Sequence, residues 1–361
     1  MIYRVIGVMS GSSLDGLDIA FVEFQENAGR WAYDIIHAEC YSYSKEWVEK
    51  LKTSVALNAK DYQLLHAEYG HFIGQQVNKF IEQNNLYYRV ALICSHGHTT
   101  FHIPSKKMTA QLGDGAAIAA ETALPVVCDL RALDVAFGGQ GAPIVPIGEK
   151  LLLGKYDLFL NIGGIANISF NANPYMAFDI CAANRVLNML ANDMGKDYDD
   201  KGLIASSGHV QIDLLERLNS LSYYKQPYPK SLSNDFGTDT VYPMIQNAGI
   251  EIHDALRTYV EHIVEQIKNA VNSQFTAHHS RILVTGGGVF NSFLIQRLNE
   301  ELKKINIELV IPDENLIQYK EAMIMAFMGV LRWRQESNVL SSVTGAARDS
   351  IGGALWTGQE A

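Results

Sequence analysis

Apolar residues fall into two rhythms along this chain. "YRVIGVM" and "LDIAFVEF" are short apolar runs of strand type, divided by the small and polar stretch Gly11 to Asp18. Residues 61 to 82 place Leu64, Leu65, Tyr69, Phe72, Ile73, Val77, Phe80 and Ile81 at helical spacing. "VALICSHGHTTFH" is a buried-type strand running into a polar loop, "GDGAAIAAETAL" is helical, and "PVVCDLR" is a further short strand. Alternating strand and helix predicts an α/β sheet with helices packed on it.

After the Gly- and Pro-rich "FGGQGAPIVP" the pattern restarts. "YDLFLNIGGIANISF" is again strand, small-residue turn, strand. "YMAFD" is a strand that leads into a helix from about Asn184, and "EIHDALRTYVEHIVEQIKNAV" is a long amphipathic helix. "RILVTGGGVFNSFLIQRLNEEL" reads as strand, glycine triplet, helix, and "EAMIMAFMGVLRWR" as a helix. The hairpin at residues 5 to 24 thus has a counterpart at 158 to 170. This predicts two related α/β domains: residues 1–130 with the tail from about 340 to 361, and residues 131–339.

Composition narrows the function classes. The chain has 361 residues, 48% hydrophobic and 19% charged, enough for two folded cores. A formal net charge of -10 argues against a nucleic-acid binder, which needs a basic face. The four cysteines (Cys40, Cys94, Cys128, Cys181) form no CxxC pair and read as free thiols of a reducing compartment. Met1 leads directly into strand-like sequence, and no apolar run has the length of a bilayer span. The expectation is a cytoplasmic protein without a membrane partner.

Familiar phosphate motifs are missing: there is no GxxxxGK[ST], no GxGxxG after a strand, and no GxSxG elbow. Three small-residue turns after apolar strands stand in their place: Gly11 to Gly16, Gly163-Gly164, and Gly286-Gly287-Gly288. Glycine and serine let a phosphate approach the backbone and offer it donors. Each turn alone is also what any hairpin uses. Asp179 closes "YMAFD", where a carboxylate serves either as a general base or as the cap of the next helix. "SHGHTTFH" brings His96, His98 and His102 together, a hint of metal without a third ligand type, or a set of neutral donors for a polar small molecule. Arg131 offers a fork for an anion, or an ion pair with Asp129 or Asp134. Glu321 reads as first-turn charge of its helix.

The order of segments resembles a known family. "GVMSGSSLDGLD", "SHGHT", "GDGAAIA", "DLRALDVAFGGQGAPIVP", "NIGGIANIS", "FDICAAN", "PKSLSNDF", "VTGGGVFN", "EAMIMAF" and "SSVTGAARDSIGGALW" follow one another along essentially the whole chain, as in the anhydro-N-acetylmuramic acid kinases. These belong to the sugar kinase/Hsp70/actin ATPase superfamily. The resemblance implies duplicated ribonuclease H-like, actin-like ATPase domains with ATP and Mg²⁺ in an interdomain cleft, and a homodimer. It implies that water opens the 1,6-anhydro ring while O6 takes the γ-phosphate, in peptidoglycan recycling. By motif, Asp179 is the catalytic base. Nucleotide residues are Gly11, Ser12, Ser13, Leu14, Asp15, Gly16, Leu17 and Asp18, then Gly163, Gly164 and Asn167, then Gly286, Gly287, Gly288 and Asn291. The sugar side holds His96, Gly97, His98, Thr99, Arg131, Asn184 and Glu321.

This chain also departs from the family pattern. The usual Thr-Gly-Pro-Gly-Asn after the aspartate is here Ile180-Cys181-Ala182-Ala183-Asn184. The Lys-Ser-Thr-Gly-Arg-Glu segment is Lys230 to Asp235, without the arginine. His98 replaces a usual glutamine, and "IHDALRTYV" lacks the usual threonine string. These changes touch the sugar side, so the alternatives are a kinase of altered specificity and a catalytically silent, nucleotide-dependent sugar sensor.

Overall fold

The computed structural model describes residues 1–11, 13–228, 230–233, 235–274 and 279–358. Strands β1 (Ile2–Ser10), β2 (Gly16–Asn27), β3 (Arg30–Ser42), β4 (Leu92–Ser95), β5 (His98–Ile103), β6 (Met108–Leu112) and β7 (Val126–Cys128) belong to a first compact unit. Strands β8 (Leu158–Ile162), β9 (Ile165–Phe170), β10 (Met176–Ala182), β11 (Ser280–Thr285) and β12 (Ile307–Val310) belong to a second. β13 (Ala354–Trp356) returns to the first.

The two main sheets share one topology. In the first the order is β13-β7-β4-β1-β2-β3, and in the second β10-β9-β8-β11-β12. Each begins as an antiparallel meander, β1-β2-β3 and β8-β9-β10. Each then adds two parallel strands on the other side of its first strand, β4 and β7, or β11 and β12. Setting β13 aside, the orders are identical, which is the ribonuclease H-like arrangement repeated. The duplication inferred from two hairpins therefore extends over both whole sheets. β5 and β6 form a separate two-stranded ribbon.

The boundaries differ from those expected. The first unit is Met1–Gly154 with Tyr319–Ala361, and the second is Lys155–Gln318. Residues 131–154 and 319–339 thus join the first unit, and side-chain packing explains why. Asp134, fully buried, accepts from Thr344 Oγ1 at 2.7 Å and from the Gly141 N–H at 2.8 Å. Glu149 and Lys320 make a buried ion pair at 3.1 Å. Phe327 packs on Phe24 and edge-on to Trp31. Leaving a buried charge without its partner is costly, so Glu149 and Lys320 keep the two segments together, while Thr344, Phe24 and Trp31 hold them to the first unit.

Helices form where the periodicity predicts them: Ala59–Gln83, Gly115–Thr122, Ile252–Gln274 and Ser292–Lys303. The last predicted helix begins earlier, spans Glu314–Trp333, and breaks at Tyr319, where the unit boundary falls. Glu321 follows that break by two residues and so stands in the first turn of the helical stretch after it. Each unit has its own apolar core. Ile6, Ile19, Phe21, Ile73 and Phe80 centre the first, and Leu160, Ile168, Tyr259, Ile263 and Leu298 the second. Burying one such side chain contributes about 1.5–3 kcal/mol. Among the described residues no helix is long and apolar enough to cross a membrane.

Candidate active site

In the first unit the expected residues gather around the ends of β1, β4 and β5. The turn between β1 and β2 holds itself together. Ser13 Oγ donates to Asp15 Oδ1 at 2.6 Å, and the Gly16 N–H donates to the same oxygen at 3.1 Å. Leu14 takes a left-handed backbone, φ 58°. Ser12, expected as a phosphate donor, lies outside the described residues. The Leu17 side chain is fully buried in the first core, which leaves its backbone for a ligand. Asp18 is half-buried on β2, paired in register with Cys40 of β3. Burial and the nearby charges of Asp15 and Glu321 push its carboxyl up to about 6, against the hydrogen bond from Cys40.

The "SHGHT" histidines are engaged by neighbours. Arg131 Nε donates to His96 Nε2 at 2.8 Å, and His96 Nδ1 lies 2.8 Å from the Gly97 carbonyl. Burial and the Arg131 charge push His96 down to about 3. It is therefore neutral, with its proton on Nδ1. Arg131 Nη1 donates to the Gly141 carbonyl at 2.6 Å. Among the described residues Arg131 makes no ion pair, so the alternative of a pair with Asp129 or Asp134 is not realised. Thr99 is exposed on β5, as is Glu321 on its helix. His102 Nδ1 lies 3.0 Å from Thr109 Oγ1. Among the described residues no three His, Cys, Asp or Glu side chains converge to hold a metal.

His98 ends a chain of hydroxyls. The Tyr69 and Tyr43 hydroxyls are 2.6 Å apart, Tyr43 Oη donates to Ser10 Oγ at 2.8 Å, and Ser10 Oγ lies 3.0 Å from His98 Nδ1. Ser10 accepts from Tyr43 and donates a hydrogen bond to His98 Nδ1. Burial lowers the His98 pKa, so the ring is neutral and carries its proton on Nε2.

The second unit arranges the rest around β8, β9 and β10. Asp179 stands directly opposite Asn167 on β9, and the register slips immediately after it, leaving Ile180 as a bulge residue. Bulges re-aim side chains and favour active sites. The half-buried carboxylate accepts from the Leu232 N–H at 2.9 Å. Its carbonyl accepts from Tyr223 Oη at 2.6 Å, and its N–H meets the Lys230 carbonyl at 3.4 Å. Burial raises the Asp179 carboxyl above the usual aspartate value, and the Leu232 bond opposes it. Asp179 is no helix cap: the next helix, Asn184–Asn192, is capped by Ala183 without a side-chain bond.

The Gly163-Gly164 turn is tied to the start of that helix. The Ala183 N–H donates to the Gly164 carbonyl at 2.8 Å and the Asn184 N–H to the Gly163 carbonyl at 3.0 Å. Asn184 Nδ2 donates to the Ile162 carbonyl at 3.1 Å. Gly286 has φ +87°, and a Cβ there would stand 2.6 Å from Asn161 Oδ1, so only glycine fits. Asn291 caps the helix Ser292–Lys303, its Oδ1 accepting from the Leu294 N–H at 3.0 Å.

Gly287, Gly288 and Asn291 line a cavity of about 370 Å³ together with Asn184, Asn188 and Lys201. Tyr198 and Phe290, both exposed, stand on it too. Asn184, expected on the sugar side, therefore shares a wall with the glycine triplet. A second cavity, of about 390 Å³, is lined by Glu261, Lys268, Arg297 and Glu301. Its charges pair with one another, Arg297 with Glu261 and Lys268 with Glu301, both at 2.8 Å.

The family model for anhydro-N-acetylmuramic acid kinase matches residues 3–358. The chain belongs to that family. The anhydro-N-acetylmuramic acid kinases of Sulfurovum sp. and Aliivibrio fischeri are 31% and 32% identical to it, each over 98% of this chain and 99% of theirs. That of Vibrio parahaemolyticus is 32% identical over 98% of both.

Within this kinase family the divergent segment after Asp179 has a structural account. Ile180, Cys181, Ala182 and Ala183 are all buried in the second core. Tyr259 Oη donates to the Ala182 carbonyl at 2.8 Å. The Cys181 and Ala183 side chains, at the positions of the two glycines in the usual pattern, are accommodated by packing inward. Residue-pattern reasoning missed Tyr223, Tyr259 and Asn188, none of which lies in a small-residue turn. Lys230 opens the second divergent segment, and its ammonium lies 4.7 Å from the Tyr223 ring centre.

Proposed function

We propose that this chain phosphorylates 1,6-anhydro-N-acetylmuramic acid with ATP and water, giving N-acetylmuramate 6-phosphate and ADP in peptidoglycan recycling. The family match over nearly the whole chain supports the reaction. The observation that carries the mechanism is Asp179, a half-buried carboxylate at a bulge, raised by burial and held by one backbone donor. A carboxylate raised by burial is a stronger base. Asp179 takes a proton from water as the water oxygen attacks C1. The C1–O6 bond breaks, O6 attacks the γ-phosphorus, and the bond to the β-phosphate oxygen breaks.

The cavity at Gly287, Gly288 and Asn291 is of a size for the adenosine end. Gly11 to Asp18 and Gly163-Gly164 supply the phosphate turns. His98, Thr99, Arg131 and Glu321 face the sugar, with His98 Nε2–H as a donor, while His96, buried with both ring nitrogens engaged, holds Arg131. Mg²⁺ needs no all-protein cage, since it binds through one or two carboxylates and the phosphates. Asp18 fits it: a magnesium ion there would relieve the charge it shares with Asp15 and Glu321, and would screen the phosphates. The enzyme acts in the cytoplasm as a homodimer.

The test is incubation of the protein with the anhydro sugar, Mg²⁺ and ATP, reading sugar phosphate. Asp179→Asn is expected to lower kcat by about 100-fold or more while ATP binding is kept. An active variant overturns the role of Asp179. In the wild type, kcat/KM is expected to fall on acidification with a midpoint above the ordinary aspartate value, because the ionised form is the base.

A further inference from the structure

Among the described residues Arg185 is a cation without an anion. It is the second residue of the helix Asn184–Asn192, directly after the family asparagine. Its Nε is buried and has no hydrogen-bond partner. Among the described residues its guanidinium makes no ion pair. Arg257 is the other described arginine with an unpartnered Nε, but its Nη2 reaches Glu261 at 3.2 Å. A buried donor on a charged group is costly to leave unpaired. Such an arrangement points to an acceptor that arrives with a ligand.

Its surroundings say which ligand. A Cβ added at Gly164 would stand 3.8 Å from Arg185 Nε, and one at Gly237 would stand 3.9 Å from Arg185 Cδ. The side chain therefore runs past two glycines and places its guanidinium beside the β8–β9 turn. That turn and the helix start move as one body, because Gly163 and Gly164 accept from the backbone of Asn184 and Ala183. Successive helical residues point about 100° apart. Asn184 faces the cavity of the glycine triplet, and Arg185 faces the turn.

We infer that Arg185 is a phosphate-binding residue, its guanidinium taking phosphate oxygens of the nucleotide at the Gly163-Gly164 turn. The assignment rests on reading that turn as phosphate-binding. A planar fork suits phosphate oxygens and sets positive charge against the negative charge spread over them in the transition state.

The experiment is calorimetric titration of the full-length protein, as wild type, Arg185→Gln and Arg185→Lys, with ATP, ADP and adenosine, alongside steady-state kinetics. Arg185→Gln is expected to weaken ATP by about 10- to 100-fold and to leave adenosine unchanged. Arg185→Lys is expected to recover part of the loss. Without nucleotide, the Arg185→Gln melting temperature is expected to match or exceed that of the wild type, since an unpaired buried donor is removed. Unchanged ATP affinity, or an equal loss of ATP and adenosine, overturns the assignment. So does a loss confined to the KM of the sugar, which would place the sugar carboxylate on Arg185. A wild type that binds no ATP would instead sink the phosphate reading of the turn.

Discussion

Asp18 shows what a neighbour in space does to a residue chosen for its place in a turn. On the sequence it closes a polar stretch. In the fold, strand register sets it beside Cys40, and burial with two like charges lifts its carboxyl to about 6. A carboxyl whose folded pKa is raised favours the folded state below its unfolded value of 3.8, and that contribution is lost as pH rises through about 6. Asp18→Asn is thus expected to be more stable than wild type at pH 8, by roughly 1–2 kcal/mol after discounting its partial exposure. The gain should vanish near pH 4. Urea titrations at the two pH values check this, and equal gains at both would contradict it. His98 illustrates the same point. Its residue type was plain, but its tautomer follows from Ser10, Tyr43 and Tyr69, distant in sequence.

At the scale of elements, β10 is the one on which the chemistry depends. Its apolar residues marked a strand closing at Asp179, but β10 runs on to Ala182 and Asp179 lies in its middle. The bulge was not legible, because a register slip depends on the partner strand. Two tyrosines from elsewhere hold its carbonyls: Tyr223 on Asp179 and Tyr259 on Ala182. Tyr259 is fully buried, so Tyr259→Phe leaves the Ala182 carbonyl without this donor. The expected cost is about 1–3 kcal/mol, read as a fall in the urea midpoint at unchanged slope. A variant as stable as wild type would show that the hydroxyl does not hold the strand.

For the whole molecule, the repeat of one sheet topology in two units matches the doubling of small-residue turns. Adenosine is expected to slow amide exchange only in the second unit, near Asn184–Asn188 and Gly287–Asn291. ATP should also slow the Gly163-Gly164 turn and the β1–β2 turn. Protection by adenosine at β1–β2, or none there with ATP, would break the division of roles. The unit boundaries were beyond the sequence pattern. Residues 131–154 contain the Gly-rich loop and 319–339 lie far beyond it, yet Thr344 holds the former and Phe24 the latter to the first unit, and Glu149 and Lys320 tie the two segments together.

The sequence by itself determined the local matters. Strand and helix are set by hydrophobic period, turns by glycine and serine, and the family by the order of its motifs. These depend on residues near one another in the chain. Tertiary structure alone decided the rest. It set the protonation of Asp18, His96 and His98, the aim of Asp179, the inward packing of Ala182 and Ala183, and the unpaired state of Arg185. Each depends on burial and on partners far along the chain, and the energy of a polar group is fixed by those surroundings, not by its type.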